Sequence, residues 1–537
     1  MSDGYWVDRV EGLDDPTPII REALEKSIQE GSLKQFNTEL QALVKRDKNG
    51  HILESTPLEL VPLLLLANET ITFHPQPLRE SYELIARHGS PKEILLVVQE
   101  SLDALLQEAK ELENDEESAS STPTQIVWKW LRLIDMYSLS FPRLVPRKRS
   151  APETAAPIIQ HLRDSFSNLA VLVDTNEPAS QEIVEACIRL GYSLLGWFEA
   201  VGSEVNEVAD CKIALKELLC VALAECLSDK HILRSYDDFL HRLRTAGLDF
   251  TPTYALEPRS KMTGSTRTQL LGEFVLYYLS NQGPVRPKGT RQALREHLNG
   301  LSAALHRPRW RQTALGAIND CVLGGLYEEE FLEEDIAAEM IPIVSTPAST
   351  DPDSKSRSVL FNLLTQMILK VQPVHAFKFV RDLASEECPY LNMRSSAIGL
   401  LRRLVVRAFN RSLQAEDDPF ASRLLLEEYK PILFQSPILE KKEAGPESID
   451  AQEMNRLVEI LGFFYVLLAR DKNNLTGVRD TKGTQELRDR IVGPLKAISS
   501  ELESTSEDPS VLFSVRSISV SLERIEEMVS GIEDRSI

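Results

Sequence analysis

The sequence predicts an all-α protein, a HEAT-like, irregular α-solenoid of stacked helix hairpins. Apolar residues recur at helical spacing along nearly the whole 537-residue chain, and Pro, Gly, Ser and Asp residues separate the helix-length segments. No segment sustains the two-residue alternation of a half-buried strand. Because neither the tetratricopeptide nor the ankyrin consensus is present, HEAT-like helix pairs, which tolerate variable length, describe the pattern best.

Three helix starts in the first quarter of the chain share one arrangement. Thr56, Ser90 and Thr122 each precede a proline and stand three residues before a Glu or Gln. In such a capping box the hydroxyl accepts from the third helical amide, the Glu or Gln returns to the cap, and proline removes an amide that has no helical partner. The spacing of the prolines leaves room for a helix pair at about 57–68 and 77–88, as a hairpin repeat requires.

Amphipathic segments predict the remaining helices in order along the chain. They lie at 18–30, 123–139, 153–171, 180–200, 208–228, 235–246, 266–281, 289–305, 309–326, 332–342, 357–370, 374–385, 389–413, 419–433, 450–470, 484–504 and 510–531. The last segment spaces its apolar residues by three and four, which suits a seam against a neighbouring helix, either of the same chain or of a partner. These residues are Val515, Ile518, Leu522, Ile525 and Val529.

Loop composition divides the predicted helices into groups. Polar or Pro- and Gly-rich breaks lie at 111–121, 283–289, 345–357 and 436–448. We therefore predict N-terminal repeats over 1–117, middle repeats over 118–344, a flexible linker at 345–357 and C-terminal repeats over 358–537, all within one continuous solenoid.

Composition limits the partners and the compartment. Sixty Lys and Arg residues against 81 Asp and Glu give a net charge of -21, which disfavours nucleic-acid binding. The first residues carry no secretory signal, no apolar run approaches the ~20 residues of a membrane helix, and the cysteines suit a reducing compartment. We expect a protein of the cytoplasm, the nucleus or both. A basic cluster at 143–149 indicates either a nuclear import signal or a solvated loop. The sequence does not indicate the oligomeric state.

No motif for catalysis is present. The sequence lacks a phosphate-binding glycine loop, a His-Glu-x-x-His motif and a Cys-x-x-Cys pair, so we predict no enzymatic activity, no cofactor and no metal. Cys211, Cys220 and Cys226 are too far apart for a zinc knuckle and are interpreted as core thiols.

The predicted helix at 389–413 carries a dense basic side. Its arginines, opposite a leucine-rich stripe, indicate either a docking surface for an acidic partner protein or a solvated face paired with neighbouring carboxylates. They are Arg394, Arg402, Arg403, Arg407 and Arg411.

Cys388 stands directly before Pro389 at the predicted start of that helix. A helix N-terminus favours the thiolate, whereas Glu386 and Glu387 oppose it. The alternatives are a redox role for the thiol and a plain role in capping.

Two segments, CPYLNMRSSAIGL at 388–400 and LLGEFVLYY at 270–278, resemble the glomulin and fungal Yap-binding protein family. The resemblance implies an all-helical, HEAT-like solenoid that acts by binding other proteins. Fungal members are associated with the oxidative-stress response as partners of an AP-1-like transcription factor, and one branch with kinetochores. Glomulin binds the RING subunit of cullin-RING ubiquitin ligases through its C-terminal repeats.

The resemblance leads to two functional expectations. The first is a non-enzymatic adaptor of the Yap-binding type that supports the response to oxidative stress through a transcription-factor partner. The alternative is a glomulin-like inhibitor of a cullin-RING ligase that binds the RING subunit through its C-terminal repeats.

Overall fold

The computed structural model describes most of the chain as helices joined by short turns. It describes residues 5–10, 13, 15–47, 52–54, 56–70, 75–114, 121–173, 178–227, 264–280, 297–319, 331–410, 418–435, 451–505 and 509–533. Within these ranges the β structure is limited to an isolated parallel bridge between Leu332 and Val371. The predicted all-α, helical-repeat fold is confirmed.

Two compact units make up the chain, and they meet in sequence between Ala317 and Ile318. This division differs from the one expected near residue 344. The predicted helix at 235–246, the predicted loops at 283–289 and 436–448, and Arg411 lie outside the described residues.

Unit 1 contains thirteen α-helices among its described residues. They are α1 (Tyr5–Val10), α2 (Thr17–Glu30), α3 (Leu33–Arg46), α4 (Pro57–Thr70), α5 (Pro75–His88), α6 (Pro91–Asn114), α7 (Pro123–Ser140), α8 (Ala151–Leu169), α9 (Pro178–Ala200), α10 (Val205–Cys226), α11 (Gly264–Ser280), α12 (Leu298–His306) and α13 (Arg311–Ile318).

Helix hairpins stack into two layers in unit 1. Helices α2, α4, α6, α8 and α10 pack in succession as one layer, while α3, α5, α7 and α9 pack as the other. Each helix also packs against its neighbour in sequence across the layers. An amphipathic hairpin cannot cover its own apolar face, so stacking of consecutive hairpins builds the continuous core.

The caps predicted from the sequence begin the helices where expected. Helices α4, α6 and α7 start at Pro57, Pro91 and Pro123. At Thr122 the complete capping box is formed: its hydroxyl accepts from the Gln125 amide, and the Gln125 side chain accepts from the Thr122 amide at 2.7 Å.

Glycines bring three helices of unit 1 unusually close together. A Cβ atom at Gly272 of α11 would overlap the carbonyl group of Cys220 on α10, and one at Gly300 of α12 would overlap Leu270 of α11. Only a hydrogen at these two positions allows the backbones to approach this closely. The segment 270–278, which resembles the family named above, therefore contains a packing glycine.

Unit 2 contains nine α-helices among its described residues. They are α14 (Glu334–Thr350), α15 (Ser354–Leu369), α16 (Pro373–Ala384), α17 (Leu391–Asn410), α18 (Arg423–Phe434), α19 (Ala451–Arg470), α20 (Thr481–Leu487), α21 (Gly493–Thr505) and α22 (Pro509–Glu533). One π-helical turn, Arg488–Val492, joins α20 to α21.

A layer of long helices organises unit 2. Helix α17 packs on α19, and α19 packs on α22, while shorter helices such as α16 and α21 pack against this layer. The apolar seam predicted in the last helix is buried, with Val515, Ile518, Leu522, Ile525 and Val529 at most 3% exposed. It faces helices of the same unit, so of the two alternatives the intrachain seam is the one observed.

The segment 345–357, expected to be a flexible linker, is mostly helical. Helix α14 continues to Thr350 and α15 begins at Ser354, leaving a break of three residues. Burial of Val344, Pro347 and Ala348 holds the end of α14, and its Ser and Thr hydroxyls donate to carbonyls within the same helix. The polar composition therefore reflects hydroxyls satisfied along the helix and not a loop.

Among the described residues, no helix combines the length and the apolar character that crossing a membrane requires.

Candidate partner-binding surface

Helices α17 and α19 lie side by side in unit 2. Gly399 on α17 lies beside Glu459, and Gly462 on α19 lies beside Arg402. Both pairs have the same sequence offset, so the two helices run parallel, as equivalent helices of successive repeats do. The two glycines keep the solvent side between the helices free of bulky side chains.

An ion pair bridges the two helices on this side. Arg402 Nη1 lies 3.2 Å from Glu459 Oε2, and both side chains are about one-third exposed, at 36% and 35%. A Cβ at Gly462 would stand only 2.5 Å from Arg402 Nη1, so glycine is needed for the guanidinium to lie there. A pair this exposed contributes about 0–1 kcal/mol to stability. Its main effect is to hold the Arg402 and Glu459 side chains in place on the surface.

Arg403 and Tyr465 extend the same surface. Arg403 is exposed and follows Gly399 by one helical turn, and among the described residues it has no ion-pair or hydrogen-bond partner. Tyr465 follows Gly462 by three positions on α19 and is 38% exposed. We call the group Gly399, Arg402, Arg403, Glu459, Gly462 and Tyr465 the α17–α19 face.

Two of the predicted basic residues serve another purpose. Arg394 donates from Nε to the Cys388 carbonyl at 2.7 Å and from Nη2 to the Glu386 carbonyl at 2.8 Å. Arg407 donates to the Leu369 carbonyl at the end of α15. Carbonyls at a helix C-terminus lack amide partners and carry partial negative charge, so Arg407 caps the end of α15. Arg394 instead holds the turn between α16 and α17.

The same device recurs along the chain. Arg143 donates to the carbonyl of Ala86 in the last turn of α5 and to that of Gly89 just after it. Arg479 donates to the Leu468 carbonyl near the end of α19. Many arginines of this acidic protein are therefore committed to internal carbonyls. Where the acceptor is distant in sequence, as for Arg143 and Arg407, no local sequence pattern distinguishes such an arginine from a surface one.

The predicted basic side is thus divided by the structure. Arg394 holds the turn before α17, Arg407 caps α15, and Arg402 is paired with Glu459. Arg403 is exposed, and Arg411 is outside the described residues. Arg402 alone of these arginines pairs with a neighbouring carboxylate within the described residues, whereas Arg394 and Arg407 bind backbone carbonyls, which neither alternative included. Use of Arg403 by a partner stays a prediction. The sequence reading missed Glu459, Gly462 and Tyr465, since they lie on another helix.

Cys388 lies in the turn before α17. Its side chain is 9% exposed, and Sγ is 3.8 Å from the Tyr390 carbonyl. Pro389 was expected at the first helical position, but α17 begins two residues later at Leu391. Arg394 holds the preceding carbonyls in a turn, which separates the sulfur from the helix start.

The cysteines of unit 1 within the described ranges are buried. Burial raises the pKa of Cys187 to about 12 and that of Cys211 to about 11. Burial likewise raises the pKa of Cys220 and Cys226 above the ordinary thiol range. A thiol in such a setting reacts slowly because the thiolate is the nucleophile.

Across the described ranges, no group of three or more His, Cys, Asp or Glu side chains is arranged to hold a metal ion.

Comparison with known proteins identifies the part of the chain that carries this surface. Residues 310–526 match the model of a family described as an uncharacterised protein family, YAP/Alf4/glomulin. This part of the chain is similar to that family. No curated protein matches the chain. The YAP/Alf4/glomulin segment includes all of α17 and α19, and hence the whole α17–α19 face. It also contains the segment 388–400, so the resemblance is confirmed.

Proposed function

We propose that the protein is a non-enzymatic adaptor of the Yap-binding type, which supports the response to oxidative stress by binding a transcription-factor partner. The observation that carries the proposal is the match of residues 310–526 to the YAP/Alf4/glomulin family, in a protein built from helical repeats. Proteins of this architecture offer extended surfaces for binding other proteins. The adaptor acts in the cytoplasm, and also in the nucleus if it accompanies its partner.

The α17–α19 face is the surface we assign to the partner. It lies within the family segment and combines an exposed arginine with a partly exposed tyrosine, two residue types that often dominate binding energy at interfaces. A chain of net charge -21 has little positive surface, so Arg403 marks where an acidic segment of a partner would be attracted.

Buried cysteines support an adaptor that holds its partner and does not itself relay disulfides. Cys187, Cys211, Cys220 and Cys226 are each buried, with raised pKa values. Oxidation would then be carried out by a separate protein brought to the partner.

Inhibition of a cullin-RING ubiquitin ligase is the second candidate. It is favoured by the position of the family match, which lies in the C-terminal part of the chain. The resemblance implies that glomulin binds the RING subunit through its C-terminal repeats. The same α17–α19 face would then cover the surface that a ubiquitin-conjugating enzyme needs.

Affinity purification of the tagged full chain, before and after peroxide treatment, separates the two candidates. Mass spectrometry that finds a bZIP transcription factor or a thiol peroxidase supports the adaptor. Recovery of a cullin and its RING subunit, together with slower ubiquitin-chain formation when the purified protein is added, supports the inhibitor. A preparation that contains none of these proteins under either condition contradicts both.

A further inference from the structure

An exposed basic segment of unit 1 connects α7 to α8. It follows the 3₁₀ turn Phe141–Arg143 and ends at Ser150, the N-cap of α8. Its residues 145–149 have the sequence Val-Pro-Arg-Lys-Arg, and we call them the basic loop. The loop precedes the segment 310–526 that matches the family, and it contributes nothing to the α17–α19 face.

The structure divides the basic cluster at 143–149 into one internal arginine and three exposed cations. Arg143 is committed to carbonyls in and just after the last turn of α5. Arg147, Lys148 and Arg149 are exposed, and within the described ranges none of them has an ion-pair or hydrogen-bond partner. Adjacent like charges repel one another, so an acidic surface that covers all three is attracted by each of them.

The main chain of the basic loop is also available to a partner. Among the described residues, its backbone groups make no hydrogen bond with the rest of the chain, and Val145 is 71% exposed. The loop is fixed at both ends: the Leu144 carbonyl accepts from Trp197 Nε1 at 2.9 Å, and Ala151 is buried at the start of α8. A receptor groove can therefore take up these residues without opening a helix or the core.

Charge and length select the kind of partner. Three phosphate contacts bind nucleic acid only weakly at physiological salt, and a net charge of -21 opposes them. Anionic membranes attract clusters of about four to eight cations, more than the basic loop carries. A protein groove lined with carboxylates and aromatic rings suits three consecutive cations, because Arg and Lys join a charged head to an aliphatic stem. Short basic segments of this kind serve as nuclear-import signals.

We propose that the basic loop is a nuclear-import signal, bound by an import receptor through an acidic groove. Receptor carboxylates pair with Arg147, Lys148 and Arg149, and receptor side chains bond to the free main chain of the loop. The protein then enters the nucleus by its own signal and not only with a partner held by the α17–α19 face. This inference goes beyond the proposed function and does not depend on it.

Binding of the purified full chain to a purified import receptor of the class that recognises basic segments is the first test. Neutralising the loop with Arg147→Gln, Lys148→Gln and Arg149→Gln together should weaken binding by at least about tenfold, the size of one lost charge-assisted contact. The matched control combines Lys355→Gln, Lys378→Gln and Lys472→Gln, which remove the same charge from exposed positions of unit 2. It should bind as the unmodified protein does, and circular dichroism should show both variants folded.

Import of the fluorescently labelled, purified chain into nuclei of permeabilised cells is the second test, since this preparation brings no partner with it. The unmodified protein and the unit 2 control should accumulate in nuclei in a receptor-dependent manner, and the loop variant should not. Arg403→Glu alters the α17–α19 face and should be imported at the unmodified rate. This comparison separates a failure of the import signal from a failure of the proposed partner surface.

Three results overturn the proposal. One is equal receptor binding by the folded loop variant and the unmodified protein. Another is import that Arg403→Glu abolishes and the loop variant leaves intact, which would show that entry depends on the α17–α19 face. The third is retention on anionic vesicles through the same three cations without binding to the receptor, which would assign the loop to a membrane surface.

Discussion

Replacement of Gly272 by alanine tests how closely the helices of unit 1 are packed. The added Cβ would overlap the Cys220 carbonyl on α10, so α10 and α11 would have to move apart. Overpacking of this kind costs typically 1–3 kcal/mol, and a backbone atom cannot yield as a flexible side chain does. Alanine regains about 1 kcal/mol of helix propensity. Because the overlapped atoms are backbone, we take the upper value of about 3 kcal/mol for the overpacking and expect a net loss of about 2 kcal/mol in the free energy of unfolding.

Gly196→Ala is the matched control within the same unit. Gly196 lies in α9, is exposed, and has no atom within 4 Å of an added Cβ. The same chemical change should here stabilise the protein by about 0.5–1 kcal/mol, since only helix propensity acts.

Tryptophan fluorescence during urea unfolding reports the stability of unit 1, in which both substituted glycines lie. All five tryptophans lie within residues 1–317, and Trp130 and Trp310 are fully buried. The midpoint should fall for Gly272→Ala and rise for Gly196→Ala. A Gly272→Ala variant as stable as the unmodified protein would show that the close approach of α10 and α11 is not required.

Four further predictions concern single groups. Arg456→Met should lower the free energy of unfolding by about 3 kcal/mol, measured by circular dichroism in urea, because this buried arginine binds Glu453 and the carbonyls of Ile432 and Gln435. A loss below about 0.5 kcal/mol would contradict its role as a cap. Burial, and to a smaller extent Lys216, lowers the pKa of His297 from 6.5 to about 4, so the unfolded state binds more protons between these pH values. The free energy of unfolding should therefore fall, by up to about 3 kcal/mol, as the pH drops from 6.5 to 4. This fall should be absent in His297→Gln. Cys388→Ser should leave folding and peroxide signalling intact, and lost signalling in a folded variant would restore a thiol step. Chelators should leave the thermal transition unchanged, and a large shift would reveal a metal site.

Local sequence signals predict most helices because their causes lie within a few residues. Apolar spacing and the capping boxes place α4, α6 and α7 correctly. Helix α3, with Leu33, Phe36, Leu40 and Leu43 buried, carries the same signal, and the sequence reading missed it. The prediction of a linker at 345–357 was wrong for a different reason, since burial of one face keeps this Ser- and Thr-rich sequence helical.

The candidate surface is harder to predict because its residues meet only in the folded protein. Arg394 and Arg407 look like surface arginines in sequence, yet both donate to backbone carbonyls. The acceptors of Arg394 lie in the turn before its own helix, and the acceptor of Arg407 lies at the end of α15. Gly462 and Glu459 define the α17–α19 face only through the parallel alignment of two helices sixty positions apart. Charge counted along one helix therefore overestimates the positive surface left for a partner.

Co-purification with a charge-reversed α17–α19 face tests the central claim that this surface binds a partner protein. Arg403→Glu changes an exposed residue that has no partner among the described residues, so folding should be intact by circular dichroism. Lys378→Glu makes the same charge change at an exposed residue of α16 and serves as the control. We predict that Arg403→Glu loses the partner recovered with the unmodified protein and that Lys378→Glu retains it. Equal recovery with both variants would contradict the assignment of this face.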